Sequence, residues 1–277
     1  DFQLDREGDD AEELRQSMDR SRSEFEASLV FSECDVEFET WYEYPVHENV
    51  FDDVVTAIDD LKRHAPLVMV FNPRLNEIHI DVNGESFQLA KHPANNIDAE
   101  FTMHPIGAPP AAEENNIDVY VVSSSLERTV NVGVILSPVD DRLMVDVSDD
   151  TPRLFALFPL LGTEMFSMPV VVNSRQFEPT EDRDGVFLWM SQAEKKHDNE
   201  ALIEQAVDLC VRLAQLASSQ KWERPDRLAR VRSVRPADWL KEEPFRKLVS
   251  ERLIPPLQAC ALVVLSDGSY LAPCAAA

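Results

Sequence analysis

An α+β fold, with mixed or antiparallel sheets and packed helices, is predicted by three features of the chain. Short alternating apolar runs of strand type outnumber helical ones. The helical stretches carry a 3.6-residue apolar period, and successive strands join through hairpin turns rather than alternating regularly with helices. The 277 residues are 44% hydrophobic, enough for a sizeable core in one large domain or two of ordinary size.

Residues 8–31 read as a helix, with Leu14, Met18 and Phe25 spaced by helical turns opposite a charged face. The aromatic, alternating run at 34–46 reads as a strand. Val50 to Arg63 returns to helical period through Val54, Val55, Ile58 and Leu61, and Pro66 is expected to end that helix. The apolar run 67–71, the turn at Asn72-Pro73-Arg74, the alternating run 77–82, the turn Asn83-Gly84 and the short run 86–90 predict a hairpin and a third strand. From Lys91 to Asn116 the chain is rich in Pro, Ala and Asn and reads as loop or linker.

Strands are expected again at 117–124, 130–137 and 142–148, the last two joined by a turn at 138–141, and then at 153–160 and 168–177. Residues 199–218 give the clearest helix, with Leu202, Ala206, Leu209, Leu213 and Leu216 on one stripe. A second helix at 242–253 should stop at Pro255-Pro256, and a hairpin should turn at Asp267-Gly268. The implied organisation is a helical piece at 1–31, an α+β subdomain with hairpins at 32–107, a linker or exposed loop at 108–116, and an α+β domain at 117–277. The chain opens without Met and stops at Cys274-Ala-Ala-Ala, as expected of a segment of a longer polypeptide.

The net charge of −25 is unevenly spread: residues 1–60 carry twenty acids against four bases, whereas 221–252 carry ten bases against six acids. The acidic head argues against a nucleic-acid partner, since each phosphate contact needs a cation. No apolar run nears the roughly 20 residues a bilayer requires, so no membrane partner is expected. An acidic opening unlike a targeting segment, with Cys34, Cys210, Cys260 and Cys274 lacking C-x-x-C spacing, points to a cytoplasmic chain with reduced thiols.

Glycine is the most informative residue. There are seven, and no two share a loop. The P-loop, the G-x-G-x-x-G fingerprint and the glycine-rich ATP lid are all missing, and phosphate cannot be wrapped closely without glycine. The six histidines form no H-x-x-x-H or H-E-x-x-H pattern, so no metal site is expected. His79 should be the solvent-facing member of its strand. Ser123, Ser124 and Ser125 end a strand without a nucleophile elbow and read as strand-end serines.

The segment 153–188 stands out: two buried strands lead to a polar corner, Asn173-Ser174-Arg175-Gln176, and then to an acidic loop. Arg175 either seeks phosphate through its fork of donors or pairs structurally with Glu178, Glu181 or Asp182. The basic run 221–239 offers Trp222 and Trp239 either as a partner-binding surface or as packed core residues.

The runs LFALFPLLGTE, MPVVVNSRQFEP and DRDGVFL within this segment resemble the bacterial relatives of sacsin in the GHKL ATPase superfamily. More distantly, they resemble the middle domain of the ninety-kilodalton heat-shock chaperones, where a strand ends in an arginine that reaches the ATP γ-phosphate. Ser174-Arg175-Gln176 matches that arginine run, with Gln176 in place of the family's Glu. Val172-Asn173-Ser174-Arg175 mirrors the strand end of MutL-like relatives. The resemblance implies a βαβ-type transducer at the C-terminal part and Arg175 as a γ-phosphate contact, supported by Asn173, Ser174 and Gln176. It also implies an N-terminal ATPase domain as partner, with residues 1–31 as the exit from it, and protein clients or a homodimer partner. ATP and magnesium are expected only with that domain, none in this chain. A non-catalytic protein-interaction module and a self-contained hydrolase are the other readings.

Overall fold

The computed structural model describes residues 11–28, 51–82, 85–109, 117–190 and 196–275. The strand expected at 34–46, the Asn83-Gly84 turn and most of the 108–116 segment lie outside them. Contacts divide the chain into two compact units, Asp1–Phe51 and Asp52–Ala277.

In the first unit, α1 (Ala11–Ser28) is helical as its period predicts. Among its described side chains Ser17 and Ser21, one turn apart, are buried, while Leu14 and Met18 of the expected apolar stripe are exposed.

The second unit opens within α2 (Phe51–Phe71), of which all but the first residue belongs to it, and this helix corrects two expectations. Pro66 lies inside the helix instead of ending it, and the apolar run 67–71 is helical, not a strand. An interior proline costs a hydrogen bond and about 3 kcal/mol. Leu67 to Phe71 are all buried, and each fully buried large apolar side chain contributes about 1.5–3 kcal/mol, which outweighs the penalty.

The strands are β1 (Glu77–Val82), β2 (Glu85–Lys91), β3 (Asn95–Asn96), β4 (Phe101–Gly107), β5 (Ile117–Ser124), β6 (Asn131–Val139), β7 (Arg142–Asp146), β8 (Leu154–Ala156), β9 (Phe158–Pro159) and β10 (Val171–Asn173). They form one mixed sheet in the order β1-β2-β4-β5-β6-β10-β8-β9, with β3 beside β4 and β7 beside β6. Pairing is antiparallel except between β10 and β8, where Val172 faces Leu154 in parallel register. The stretch expected as loop thus contains β4, whose residues 101–107 pair with β5; Pro105 and the polar neighbours conceal the strand in the sequence. Strands on either side of 108–116 belong to the same sheet.

Strand alternation sends neighbouring residues to opposite faces. Val121, Val171 and Phe155 join the cluster formed with the C-terminal half of α2, whereas Val122, Val172 and Leu154 join the larger cluster with α3 (Lys196–Ser219). Helices therefore cover both faces of the sheet. Beyond α3 come a 3₁₀ turn at Pro225–Ala229, α4 (Glu242–Leu248), a π-helical stretch Val249–Leu253 and α5 (Ile254–Ala259). Pro255 and Pro256 do not stop the helix as expected. They occupy the first turn of α5, where a missing N–H is tolerated, and the π stretch before them gives room for the rings. The closing hairpin, β11 (Val263–Val264) with β12 (Tyr270–Leu271), turns at Asp267-Gly268 as expected, with Gly268 at φ 79°.

Candidate functional site

The corner at the end of β10 is built from buried polar groups that hold one exposed cation. β10 lies between β6 and β8, so its backbone is fixed on both sides. Asn173 is 1% exposed. Its Oδ1 accepts from the Leu157 N–H at 3.0 Å, and its Nδ2 donates to Asn131 Oδ1 at 3.3 Å. Asn131 in turn donates to the Ser125 carbonyl at 2.7 Å. Ser174 is fully buried; its hydroxyl donates to the Thr129 carbonyl at 2.6 Å and accepts from the Gln176 N–H at 3.0 Å. Its own N–H donates to the Phe155 carbonyl at 3.1 Å.

Arg175 follows at once and is exposed, as is Gln176. Among the described residues, the Arg175 side chain makes no ion pair or hydrogen bond, so the structural pairing with Glu178, Glu181 or Asp182 does not form. What remains is a guanidinium whose five donors are uncommitted among the described residues, following a strand pinned from both sides. The side chains of Asn173 and Ser174 serve as anchors, and Gln176 joins through its backbone.

Past the corner, the acidic loop folds on itself. Thr180 N–H donates to the Gly185 carbonyl at 2.9 Å, and Thr180 Oγ1 donates to Asp184 Oδ1 at 2.5 Å. A Cβ at Gly185 would sit inside the Trp239 indole; this glycine serves close packing, not phosphate. Asn199, buried in the first turn of α3, accepts from the Glu178 N–H at 3.1 Å and donates to the Glu178 and Phe187 carbonyls at 3.3 Å. Sequence alone missed Asn131 and Asn199. The one available signal was an asparagine beside an otherwise apolar strand or helix start, where a side chain that both donates and accepts can satisfy buried backbone.

Trp222 and Trp239 are 3% and 6% exposed, which corrects their reading as a partner surface. Trp239 packs against Phe166 with centroids 5.9 Å apart, and Phe166 stacks on Phe245 at 4.6 Å. Indoles of this size are held in the core by the apolar area they bury. The arginines around them pair locally, Arg230 with Asp226 at 2.9 Å and Arg227 with Asp146 at 3.3 Å.

Ser123 and Ser124 are fully buried in β5. Ser124 Oγ accepts from the Val132 N–H at 3.1 Å, and Ser123 Oγ bonds His104 Nε2 at 3.1 Å; both stitch the sheet together. His79 is exposed on its strand, as expected. Burial pushes the Cys210 and Cys260 thiols up, away from thiolate chemistry. Among the described residues no cluster of His, Cys, Asp and Glu is arranged to hold a metal ion, and no helix is long and apolar enough to cross a membrane. No family model, curated protein or solved structure matches the chain.

Proposed function

We propose that this chain is the middle, transducing portion of a sacsin-like GHKL ATPase of chaperone type, and that Arg175 contacts the γ-phosphate of ATP held by a separate N-terminal domain. The carrying observation is the pairing of a pinned backbone with a free guanidinium: Asn173 and Ser174 are buried and hydrogen-bonded, while Arg175 extends from them without a partner among the described residues. A cation that must act on charge developing elsewhere has to be pre-positioned yet uncommitted. Fingers of this kind are worth about 10³–10⁵ in turnover. The α+β class with helices on both sheet faces supports this reading at the level of fold class alone; the parallel strands β8 and β10 are joined through β9 and turns, not through a crossover helix.

ATP and magnesium would enter with the N-terminal domain, because the glycines that cradle a triphosphate are not in this chain. Titration of these 277 residues with Mg·ATP is therefore expected to give no binding heat; tight, magnesium-dependent binding would overturn the proposal.

A non-catalytic interaction module is the second reading, favoured by exposed apolar residues close in sequence to the corner: Phe158 in the terminal strand β9, Leu161, and Phe187. A partner captured through Phe158 and Leu161 with no effect of nucleotide or of Arg175→Ala would support it.

A further inference from the structure

At one end the sheet closes on β9, two residues long; at the other it ends on β1, six residues long. Every residue of β1 pairs with β2 in unbroken register, and among the described residues none pairs with its outer edge. An open edge offers a row of backbone donors and acceptors to a further strand, and proteins commonly blunt it with proline, lysine, a bulge or a shortened strand. Glu77–Val82 carries none of these devices.

The hydrogen-bond phase fixes which backbone groups face outward. The Lys91 N–H donates to the Asn76 carbonyl at 2.9 Å, so Ile78 and Ile80 also turn their backbone groups toward β2. Alternation then points those of Glu77, His79 and Asp81 to the open edge. The two sheet faces differ in chemistry. Ile78 and Ile80 stand opposite Leu89 and Phe87, on the face that α2 covers, and Ile80 is half-buried. On the other face His79 Nε2 lies 3.0 Å from Ser86 Oγ and 3.8 Å from the Asp81 carboxylate.

We infer that β1 is a self-association edge: a second copy of this chain adds its own β1 antiparallel, about a two-fold axis at Ile80, with His79 opposite the partner's Asp81. A two-fold pair is isologous, and outward groups must meet outward groups, so the axis passes through a residue and not between two. Centred on His79, it would set Glu77 against the partner's Asp81; centred on Asp81, it would set that carboxylate against its own copy. Like charges directly opposite are unfavourable. Centred on Ile78, it would leave Ile80 to Val82 without strand residues opposite. Centred on Ile80, it gives each imidazole a carboxylate, twice over, and lays isoleucine on isoleucine. The strand is self-complementary in this register. The net charge of −25 opposes association at low salt, and about 0.15 M salt, with a Debye length of about 8 Å, screens all but the charges at the edge itself.

Sedimentation of the 277-residue chain in about 0.15 M salt is expected to show the mass rising from one chain toward two with concentration. His79→Asp, which sets carboxylate against carboxylate, should weaken association at least about tenfold. The exchange His79→Asp with Asp81→His restores the pairing and should recover the affinity to within about threefold. Cysteines read the register, in a background of Cys34→Ser and Cys274→Ser. Ile80→Cys should give a disulfide-linked dimer under oxidised glutathione, because Cα atoms at a non-hydrogen-bonded pair stand about 4.5 Å apart, within disulfide reach. Ile78→Cys and His79→Cys should stay unlinked. A chain that remains monomeric at about 1 mM with Ile80→Cys unlinked, as when a foreign peptide or another segment of the chain takes the edge, would overturn the inference. So would linkage at Ile78 or His79 without linkage at Ile80, or association that His79→Asp leaves unchanged.

Discussion

The Oδ1 atom of Asn173 accepts a hydrogen bond from the backbone N–H of Leu157 at 3.0 Å, joining the end of β10 to a residue held at φ 66°. A left-handed conformation costs a leucine about 1–2 kcal/mol, so the corner that carries Arg175 contains strain held in place by one buried amide.

Asn173→Ala is therefore expected to destabilise the chain by about 1–3 kcal/mol, the range for leaving buried partners unsatisfied. Arg175→Ala, next but one in sequence, should stay within about 0.5 kcal/mol because the side chain is exposed and has no partner among the described residues. Urea denaturation of both variants checks this. Equal losses would contradict the division of the corner into anchor and free cation.

Gly185→Ala is expected to cost about 2–3 kcal/mol, because the added methyl must displace the Trp239 indole from a packed core. Trp239 fluorescence should shift in the native state. A native-like spectrum with unchanged stability would show that the loop can move aside.

Trp239→Ala should lower stability by about 3–5 kcal/mol, as for large-to-small changes at buried aromatic sites, and should act on folding before any binding. Loss of a partner with stability unchanged would restore the surface role that the sequence left open.

Low pH should weaken the fold. Burial, helped by the charge of Lys91, lowers His104 from 6.5 to about 4, and burial lowers His64 as well. Each folded-state value lies below the unfolded one. Both states are neutral above about pH 6.5, and stability is lost as pH falls from there toward 4, because the unfolded chain takes up protons first. By roughly pH 5.5 His104 alone should contribute a loss of about 1 kcal/mol. His104→Gln should flatten this part of the stability profile, which urea midpoints at pH 7 and 5.5 would reveal.

Much of the fold was legible where local rules and tertiary demands agree. The 117–124 strand coincides with β5, and the helix expected at 199–218 lies within α3. Sequence misled where burial overrode a local signal: Pro66 is carried through α2 by the apolar residues beyond it, and β4 forms despite Pro105 because β5 pairs along its length. At the candidate site, Arg175 was visible as a cation after a buried strand. Its anchors were only half visible, because Asn131, Asn199 and the Thr129 carbonyl reach the corner from distant positions in the chain.

The proposed role of Arg175 is tested most directly by single-turnover ATP hydrolysis in a polypeptide that joins this chain to the proposed N-terminal ATP-binding domain, comparing wild type with Arg175→Ala. The expected result is a loss of about 10³-fold or more in the hydrolysis rate with nucleotide affinity nearly intact. An unchanged rate at saturating ATP would contradict the assignment of Arg175 to the γ-phosphate.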